Sequence, residues 1–154
     1  MKFRSIRNLR LSVIRRLLKQ GFSLDDILDG ELSGANLSDA DLEEAFLEIT
    51  NLSNVNLRGA KLLGAYMSYS NLRGINLSGT YMHWAHLDEK YTKHLFRFPE
   101  YRIIIINEWV SVGCSVHTAQ QWRDLTYNEI YGMDGEKAVA FYPKLIAFLD
   151  ELGM

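Results

Sequence analysis

The sequence predicts a mainly β solenoid, with a helical cap before it and a small α+β module after it. Three observations predict this class. A large apolar residue recurs every five residues from Leu32 to Leu87, a basic amphipathic segment precedes the repeat, and β-patterned runs with helix-start signals follow it. These patterns divide the 154 residues into an N-terminal cap (1–24), a repeat region (25–90) and a C-terminal module (91–154).

Composition narrows the class of protein further. The chain is 47% hydrophobic and 23% charged, which is ordinary for a folded domain and excludes global disorder. Its single cysteine, Cys114, excludes an internal disulfide and a zinc site built from several thiolates. No apolar run approaches the length of a membrane span, so we expect no membrane association.

The N-terminal cap is strongly basic. Residues 1–24 carry seven Lys or Arg and no acid, whereas residues 25–57 carry nine Asp or Glu and no base. An amphipathic helix over about residues 4–20 is predicted from apolar residues at helical spacing, namely Phe3, Ile6, Leu9, Val13 and Leu17. Such helices bind nucleic acid, anionic lipid or an acidic partner, but the adjacent acidic block favours a cap that packs beside it. Arg15 and Arg16 interrupt the apolar run that a secretory signal needs, so we expect a cytoplasmic protein.

The five-residue period fits neither a helix nor a strand. Five residues advance a helix about 140° beyond a full turn, and an odd spacing sends successive strand residues to opposite faces. The chain must therefore turn once per repeat to keep every large residue inside. The repeated residues are Leu32, Leu37, Leu42, Leu47, Leu52, Leu57, Leu62, Met67, Leu72, Leu77, Met82 and Leu87. Small residues precede most of them by two positions, and glycines follow several of them by two positions, where a corner needs a permissive backbone.

The runs ANLSD, ADLEE, VNLRG, AKLLG and INLSG, which begin at Ala35, Ala40, Val55, Ala60 and Ile75, resemble the Ala-(Asp/Asn)-Leu-X-X motif of the pentapeptide-repeat family. The resemblance implies a right-handed quadrilateral β-helix with four repeats in each twenty-residue coil, hence about three coils here. So short a stack needs both of its ends covered. Asp25, Asp26 and Ile27 are interpreted as a degenerate lead-in repeat.

Stacking the sequence in steps of twenty separates polar faces from apolar ones. Two predicted outer faces carry asparagine columns, which can hydrogen-bond along the stack. The other two are too apolar for bare surface, and they contain the candidate binding residues Phe46, Ile49, Leu63, Tyr66, Tyr69, Tyr81, His83, Trp84 and His86. Either the C-terminal module folds back over them, or they contact a partner.

Three functions remain open from the sequence. The leading hypothesis is a non-catalytic binding or scaffold protein, such as a phage or bacterial accessory factor that interferes with a host protein, and we expect it to form a homodimer. A second is a planar, nucleotide-like ligand stacked by Tyr66, His83, Trp84 and His86 between the solenoid and the C-terminal module. A third follows from the resemblance, because some pentapeptide-repeat proteins inhibit DNA gyrase by mimicking DNA. Nucleic acid itself is not an expected partner.

The C-terminal module reads as a hairpin followed by helices. Tyr101–Ile106 and Trp109–Cys114 are β-patterned runs, Thr118 with Gln121 and Thr126 with Glu129 form capping-box pairs, and Asp134 is the predicted cap of a third helix. The string VGCSVHTAQQW resembles a small module found beside pentapeptide repeats in phage and bacterial proteins.

Chemistry at the cysteine and the histidines is not expected. We predict that Cys114 and Trp122 fill the core of the module, while His117 orders the loop before its helix. A metal would require further ligands from His83, His86, His94 and carboxylates. We therefore expect no catalytic residue, no metal and no cofactor.

Overall fold

The computed structural model describes residues 9–92 and 97–154. Two helices open the described chain, α1 (Leu11–Lys19) and α2 (Leu24–Asp29), and the repeat region follows them. A short helix α3 (Glu89–Thr92) ends this region. The remaining elements are strands β1 (Ile103–Ile106), β2 (Trp109–Val112) and β3 (Ser115–Thr118) and helices α4 (Ala119–Asp124) and α5 (Tyr127–Glu151).

The repeat region is a β-solenoid held together by parallel bridges between residues twenty positions apart. The bridged pairs are Glu31–Asn51, Asn36–Asn56, Asp41–Lys61, Phe46–Tyr66, Asn51–Asn71, Asn56–Asn76, Lys61–Tyr81 and Tyr66–His86. The backbone bonds alternate in direction, so that Leu32 donates to Asn51 at 3.0 Å while Asn51 donates to Gly30 at 2.7 Å. The repeated Leu and Met side chains from Leu32 to Met82 are all buried, as the five-residue period predicts.

Each corner of the solenoid is a tight turn with a left-handed residue. The carbonyl of Leu32 accepts from the N–H of Ala35 at 3.0 Å, and the same bond recurs in most later repeats. The third residue of each such turn has positive φ, as in a type II turn. Glycine supplies this conformation at Gly34, Gly59, Gly64, Gly74 and Gly79, while Asp39, Glu44, Ile49, Asn54, Tyr69 and Trp84 supply it at the other corners.

The N-terminal helices cover the first end of the solenoid. Val13 and Leu17 of α1 and Ile27 of α2 are buried in the same core as the first leucines of the repeat. Outside this core, the side chain of Gln20 donates to the carbonyl of Asn36 at 2.9 Å and accepts from its N–H at 2.7 Å. The predicted basic cap therefore does lie beside the acidic block.

Two details of the N-terminal prediction change. The described helix α1 begins at Leu11. The part of the predicted 4–20 helix before residue 9 lies outside the described residues, as do Phe3 and Ile6. The predicted lead-in repeat at Asp25–Ile27 is wrong, because these residues belong to α2. Ser23 and Asp26 form a reciprocal capping box at its start and Gly30 ends it at φ +82°, local signals that outweigh the weak repeat match.

A three-stranded antiparallel sheet covers the other end of the solenoid. The strands lie in the order β1-β2-β3, and Asn107-Glu108 forms the predicted hairpin between the first two. Alternation divides the sheet, because β-strand side chains point to opposite faces in turn. One face joins the solenoid core through Ile104, Ile106, Trp109 and Val116. The other packs on α4 and α5 through a second core, which contains Ile103, Val110, Val112, Trp122, Phe141, Leu145 and Phe148.

Hydrogen bonds from two tryptophans fix this layered arrangement. The indole of Trp109 donates to the carbonyl of Ile75 in the solenoid at 2.9 Å, and that of Trp122 donates to Val110 within the module at 2.9 Å. Both predicted capping boxes, at Thr118 and at Thr126, are present. Non-helical backbone at Asp134 and Gly135 divides α5 at the position where a third helix start was predicted. Among the described helices, none combines the length and the apolar character needed to cross a membrane.

Candidate functional site

Three stacked rings form an aromatic ladder on one outer face of the solenoid. The ring centroids of Phe46 and Tyr66 lie 4.7 Å apart and those of Tyr66 and His86 lie 4.3 Å apart, with interplanar angles of 3° and 1°. The bridges at twenty-residue spacing produce this register, because they place equivalent side chains directly above one another. Phe46 and Tyr66 are half-buried by their neighbours in the ladder, whereas His86, the last ring, is exposed.

Three large apolar side chains occupy left-handed corners; we call Ile49, Tyr69 and Trp84 the corner residues. Their φ angles are +55°, +61° and +60°, and their exposed fractions are 71%, 80% and 62%. A left-handed backbone is rare for β-branched and bulky residues, and exposure to this degree forgoes the benefit of burial. The corner residues therefore sit where neither the backbone nor the protein core favours them.

The remaining candidates surround a groove beside Trp84. Leu63 and Tyr81 are exposed, and His83 is half-buried with its ring edge-to-face against Trp84 at 4.9 Å. These three line the groove together with Glu43, Lys61 and Cys114. Nδ1 of His83 is buried without a hydrogen-bond partner among the described residues.

The C-terminal module covers the end of the solenoid rather than its apolar faces. The sheet contacts the last repeats, and the module approaches the apolar faces at two places. The guanidinium of Arg102 lies 5.2 Å from the ring centroid of Trp84, and Cys114 lines the groove with Leu63. Ile49, Leu63, Tyr69, Tyr81 and Trp84 therefore stay exposed within the protomer. Of the two explanations that the sequence left open, covering by the module does not account for these five side chains.

Two other outer faces of the solenoid are polar, and their asparagine side chains hydrogen-bond to one another. Side-chain amides bond along the stack from Asn56 to Asn36 and from Asn71 to Asn51, both at 3.3 Å. The acidic first turn of the solenoid is partly neutralised, since Arg10 lies 2.9 Å from Asp41 and 3.6 Å from Glu43. The asparagine columns have a structural role, because their side-chain amides bond to one another.

The structure changes the interpretation of the cysteine. Cys114 is exposed in the tight turn between β2 and β3, so the prediction that it fills the core is wrong. The turn at Gly113, with φ +58°, directs the chain out of the sheet at this point. Trp122 does fill the core, as predicted. His117 lies in strand β3 rather than in a loop, so that prediction is wrong. Its ring packs edge-to-face against Trp122 at 4.9 Å, and burial lowers the pKa of the imidazole.

Metal-ligating side chains do not converge anywhere in the described parts of the chain. In residues 9–92 and 97–154, no group of three or more His, Cys, Asp or Glu is arranged to hold a metal ion. His94, one of the ligands considered from the sequence, lies outside the described residues.

Sequence reasoning missed the residues that meet the end of the aromatic ladder. Phe98, Pro99, Glu100, Tyr101 and Arg102 line a cleft of about 700 Å³ together with Trp84 and His86, and we call it the end cleft. These five residues precede β1, and the packing of the sheet on the last repeat brings them there. The sequence marked Tyr101 and Arg102 only as the start of a β-patterned run, because the position of all five residues beside the ladder depends on contacts between distant parts of the chain.

A smaller cavity of about 270 Å³ lies inside the C-terminal module, between the β2–β3 turn and the break in α5. At one edge the hydroxyl of Tyr101 donates to a carboxylate oxygen of Asp134 at 2.7 Å. Burial and then this hydrogen bond raise the pKa of the phenol, and the same bond lowers the pKa of the acid. Lys137 lies 3.3 Å from the same carboxylate. Those three side chains bind one another and hold the break in place.

Comparison with known families identifies the repeat region. A family model for pentapeptide repeats matches residues 31–68 and 57–89, with eight copies. No curated protein matches the chain. The matched residues are those in which we observe the buried five-residue column, the left-handed corners and the twenty-residue bridges. Residues 31–89 form a pentapeptide-repeat domain, which places the repeat region of this chain in the pentapeptide-repeat family.

Proposed function

We propose that this protein is a non-catalytic binding or scaffold protein whose working surface is made by the corner residues and their neighbours Leu63 and Tyr81. Pentapeptide-repeat proteins are generally binding or scaffold proteins without catalytic activity. The more specific proposal is a binding surface particular to this chain. It rests on the corner residues, whose side chains are exposed and whose backbone is in the unfavourable left-handed region.

The corner residues carry the proposal. Left-handed backbone costs a non-glycine residue about 1–2 kcal/mol, and five other corners of the same solenoid avoid that cost with glycine. Ile49 and Tyr69 occupy equivalent positions one twenty-residue period apart, so the unfavourable choice is repeated in register. Strained positions persist where function compensates for them, and large exposed aromatics are characteristic of protein interfaces.

Two kinds of partner fit this surface. One is a second copy of the chain, because symmetric dimers are the commonest soluble oligomers. The other is a host protein, and the resemblance of the segment around Cys114 to modules of phage and bacterial proteins supports an accessory factor of that origin. A reducing cytoplasm suits the free thiol of Cys114 on the surface.

We also propose the number of coils and the four-sided cross-section of the β-solenoid. We take residues 25–90, with α2 at their start, as about three coils of right-handed quadrilateral β-helix between a cap (1–24) and a module (91–154). The bridges at twenty-residue spacing and the corners at five-residue spacing support four sides per coil.

The charges do not favour the DNA-mimic function. Mimicry of DNA needs a long face of regularly spaced, unpaired negative charge. Here Arg10 pairs with Asp41 and Glu43, and the next period carries Lys61 in the same column as Asp41.

Replacing the corner residues by glycine tests the proposal. The triple variant Ile49→Gly, Tyr69→Gly, Trp84→Gly removes the exposed side chains while relieving the backbone, so we expect each change to leave the free energy of unfolding within about 1 kcal/mol of wild type or slightly above it. We expect association to be lost, as measured by light scattering for a homodimer and by affinity capture from bacterial lysate for another protein.

Asn54→Gly is the matched control. Asn54 has the same left-handed backbone, φ +57°, at an exposed corner but is polar, so this variant reproduces the backbone relief without removing apolar surface. Association should be unchanged in it. The proposal fails if the triple variant associates as wild type does, or if it unfolds more easily by several kcal/mol, since that would mean a structural role.

A further inference from the structure

We propose that the end cleft binds a planar aromatic anion whose ring stacks on His86 as the next ring of the aromatic ladder, with its negative group held by Arg102. This site goes beyond the protein-binding surface proposed above, and the ladder, the cleft and its charge carry it independently.

Among residues 9–92 and 97–154, the ladder leaves one stacking surface open. One side of the His86 ring lies parallel to Tyr66 at 4.3 Å, and its other side faces away from the preceding repeats, toward the end of the solenoid. The position twenty residues further along, Ile106, belongs to β1 and is buried in the core instead of extending the ladder. Among the described residues, no ring stacks on the outer side of His86.

The end cleft has the size and the walls of an aromatic site. Its volume of about 700 Å³ lies in the range of small-molecule pockets, about 300–1,000 Å³. Phe98, Pro99 and Tyr101 line it from the module, and Trp84 lines it from the solenoid. Trp84 keeps its exposed position here at the cost of a left-handed backbone, as a ring that contacts a ligand would require.

Arg102 gives the end cleft a cation suited to an anion. Glu100, its acidic residue, is paired through Oε1 with Lys144 at 2.5 Å, which lowers the pKa of the carboxyl, while its Oε2 is buried without a hydrogen-bond partner among the described residues. Arg102 has no such partner: Nη2 reaches the carbonyl of Ala85 at 3.5 Å, and Nε has no hydrogen-bond partner among the described residues. A guanidinium always carries a charge and offers several donors to a carboxylate or phosphate.

The structure also decides which histidine and tyrosine belong to this site. Tyr66 is stacked on both sides, by Phe46 and by His86, so its ring has no surface left for a ligand. His83 lines the separate groove with Leu63 and Tyr81. Of the four side chains that the sequence offered for a planar ligand, Trp84 and His86 therefore remain.

Four probes in two pairs test the proposal with the full chain. AMP and 2-naphthoate combine a planar ring with a negative group, while adenosine and 2-naphthol carry the ring without the charge. We expect at least one of the two anions to bind in calorimetric titration and its neutral counterpart to bind at least about tenfold more weakly, since a charge-assisted hydrogen bond is worth about that factor. Ring stacking should also shift the NMR signals of the His86 ring protons upfield.

Variants separate this site from the protein-binding surface. We expect Arg102→Gln to weaken binding of the anionic probe about tenfold and Trp84→Gly to weaken it as well. Tyr69→Gly, which changes a corner residue outside the end cleft, should bind the probe as wild type does while losing protein association. The NMR shift in the wild-type protein provides a readout even if Arg102→Gln does not fold.

Three results would overturn the proposal. They are the absence of any His86 shift with either anion at millimolar concentration, equal binding of an anion and its neutral counterpart, and wild-type affinity in a folded Arg102→Gln variant.

Discussion

The solenoid and the C-terminal module bury their cores by different rules. In the solenoid, burial repeats every five residues and each bridge partner lies twenty residues away, so one short rule covers the region from Leu32 to Met82. In the module, the core brings Val110 together with Trp122, 12 residues further along the chain, and with Phe141, 31 residues further along. A periodic core can be located by counting, whereas an aperiodic one becomes visible only after the chain has folded.

The same difference separates the functions of side chains in the two regions. Bridges and interior leucines determine the solenoid, so its outward positions are free to carry Tyr69 or Trp84 without harm to the core. In the module, Trp109 and Trp122 have both packing and hydrogen-bonding roles. The tryptophans of the module therefore belong to a core, whereas Trp84 of the solenoid lies on the surface.

The largest expected effect comes from a leucine at the centre of the solenoid. Leu57→Ala removes a fully buried side chain and leaves a cavity, because bridges on both sides keep the backbone from collapsing. We expect the free energy of unfolding to fall by about 3–5 kcal/mol in urea denaturation. Leu63→Ala, 42% exposed, is the control and should change it by less than about 0.5 kcal/mol. Similar losses for both would refute the inward column.

Next in size are the two tryptophans that hold the sheet. Trp109→Phe and Trp122→Phe each remove an indole hydrogen bond to a backbone carbonyl, and each should cost about 1–3 kcal/mol. Of these two tryptophans, only Trp109 donates to the solenoid, so its variant should broaden or split the unfolding transition in calorimetry. If the Trp122 variant splits the transition instead, the layered arrangement is wrong.

Two glycines, one in the solenoid and one in the module, allow the effect of backbone conformation to be compared between the two regions. A Cβ at Gly79 or at Gly132 would meet no atom within 4 Å, but Gly79 lies at φ +63° in a corner while Gly132 lies within α5. We expect Gly79→Ala to destabilise by about 1–2 kcal/mol and Gly132→Ala to stabilise by up to about 1 kcal/mol. Thermal denaturation measures both, and equal shifts would contradict the left-handed corner.

The smallest effect is a pH dependence confined to the module. Burial lowers the pKa of His117 in the folded protein below its ordinary value of about 6.5, with Glu129 opposing this less strongly. As pH falls below 6.5, the unfolded chain takes up a proton at this residue before the folded chain does, so stability declines. Urea titrations at pH 7 and pH 5 should show a smaller decline in the free energy of unfolding for His117→Gln than for wild type. A larger decline would mean that folding raises the pKa of His117 instead of lowering it.

Periodicity made the solenoid and the outward direction of its apolar faces predictable from sequence. Phe46, Tyr66 and His86 were assigned to one outer column by adding twenty, and the structure stacks them. Local capping signals at Thr118 and Thr126 located helix starts equally well, because a capping box involves only four residues.

Predictions failed where long-range packing decides. The apolar spacing of the last helix predicts a face with Val139, Tyr142, Ile146 and Leu149, and of these only Leu149 is fully buried. Packing against the sheet buries Phe141 and Phe148 as well, which the spacing did not indicate. Strand β3 was missed because it is short and follows a tight turn. Arg102 escaped notice for the same reason, since its relation to Trp84 exists only once the sheet is docked on the solenoid.

Because of the twenty-residue register, the number of residues in the solenoid determines how the sheet is rotated relative to α1. Duplicating one full period would add a layer of about 4.8 Å and leave the sheet facing the same side relative to α1. Inserting a single five-residue repeat would instead rotate the sheet by a quarter of a revolution and bring Arg102 above a different column of the solenoid. Relatives that keep the end cleft are therefore expected to differ in length by whole periods, which selects insertions by size as well as by sequence.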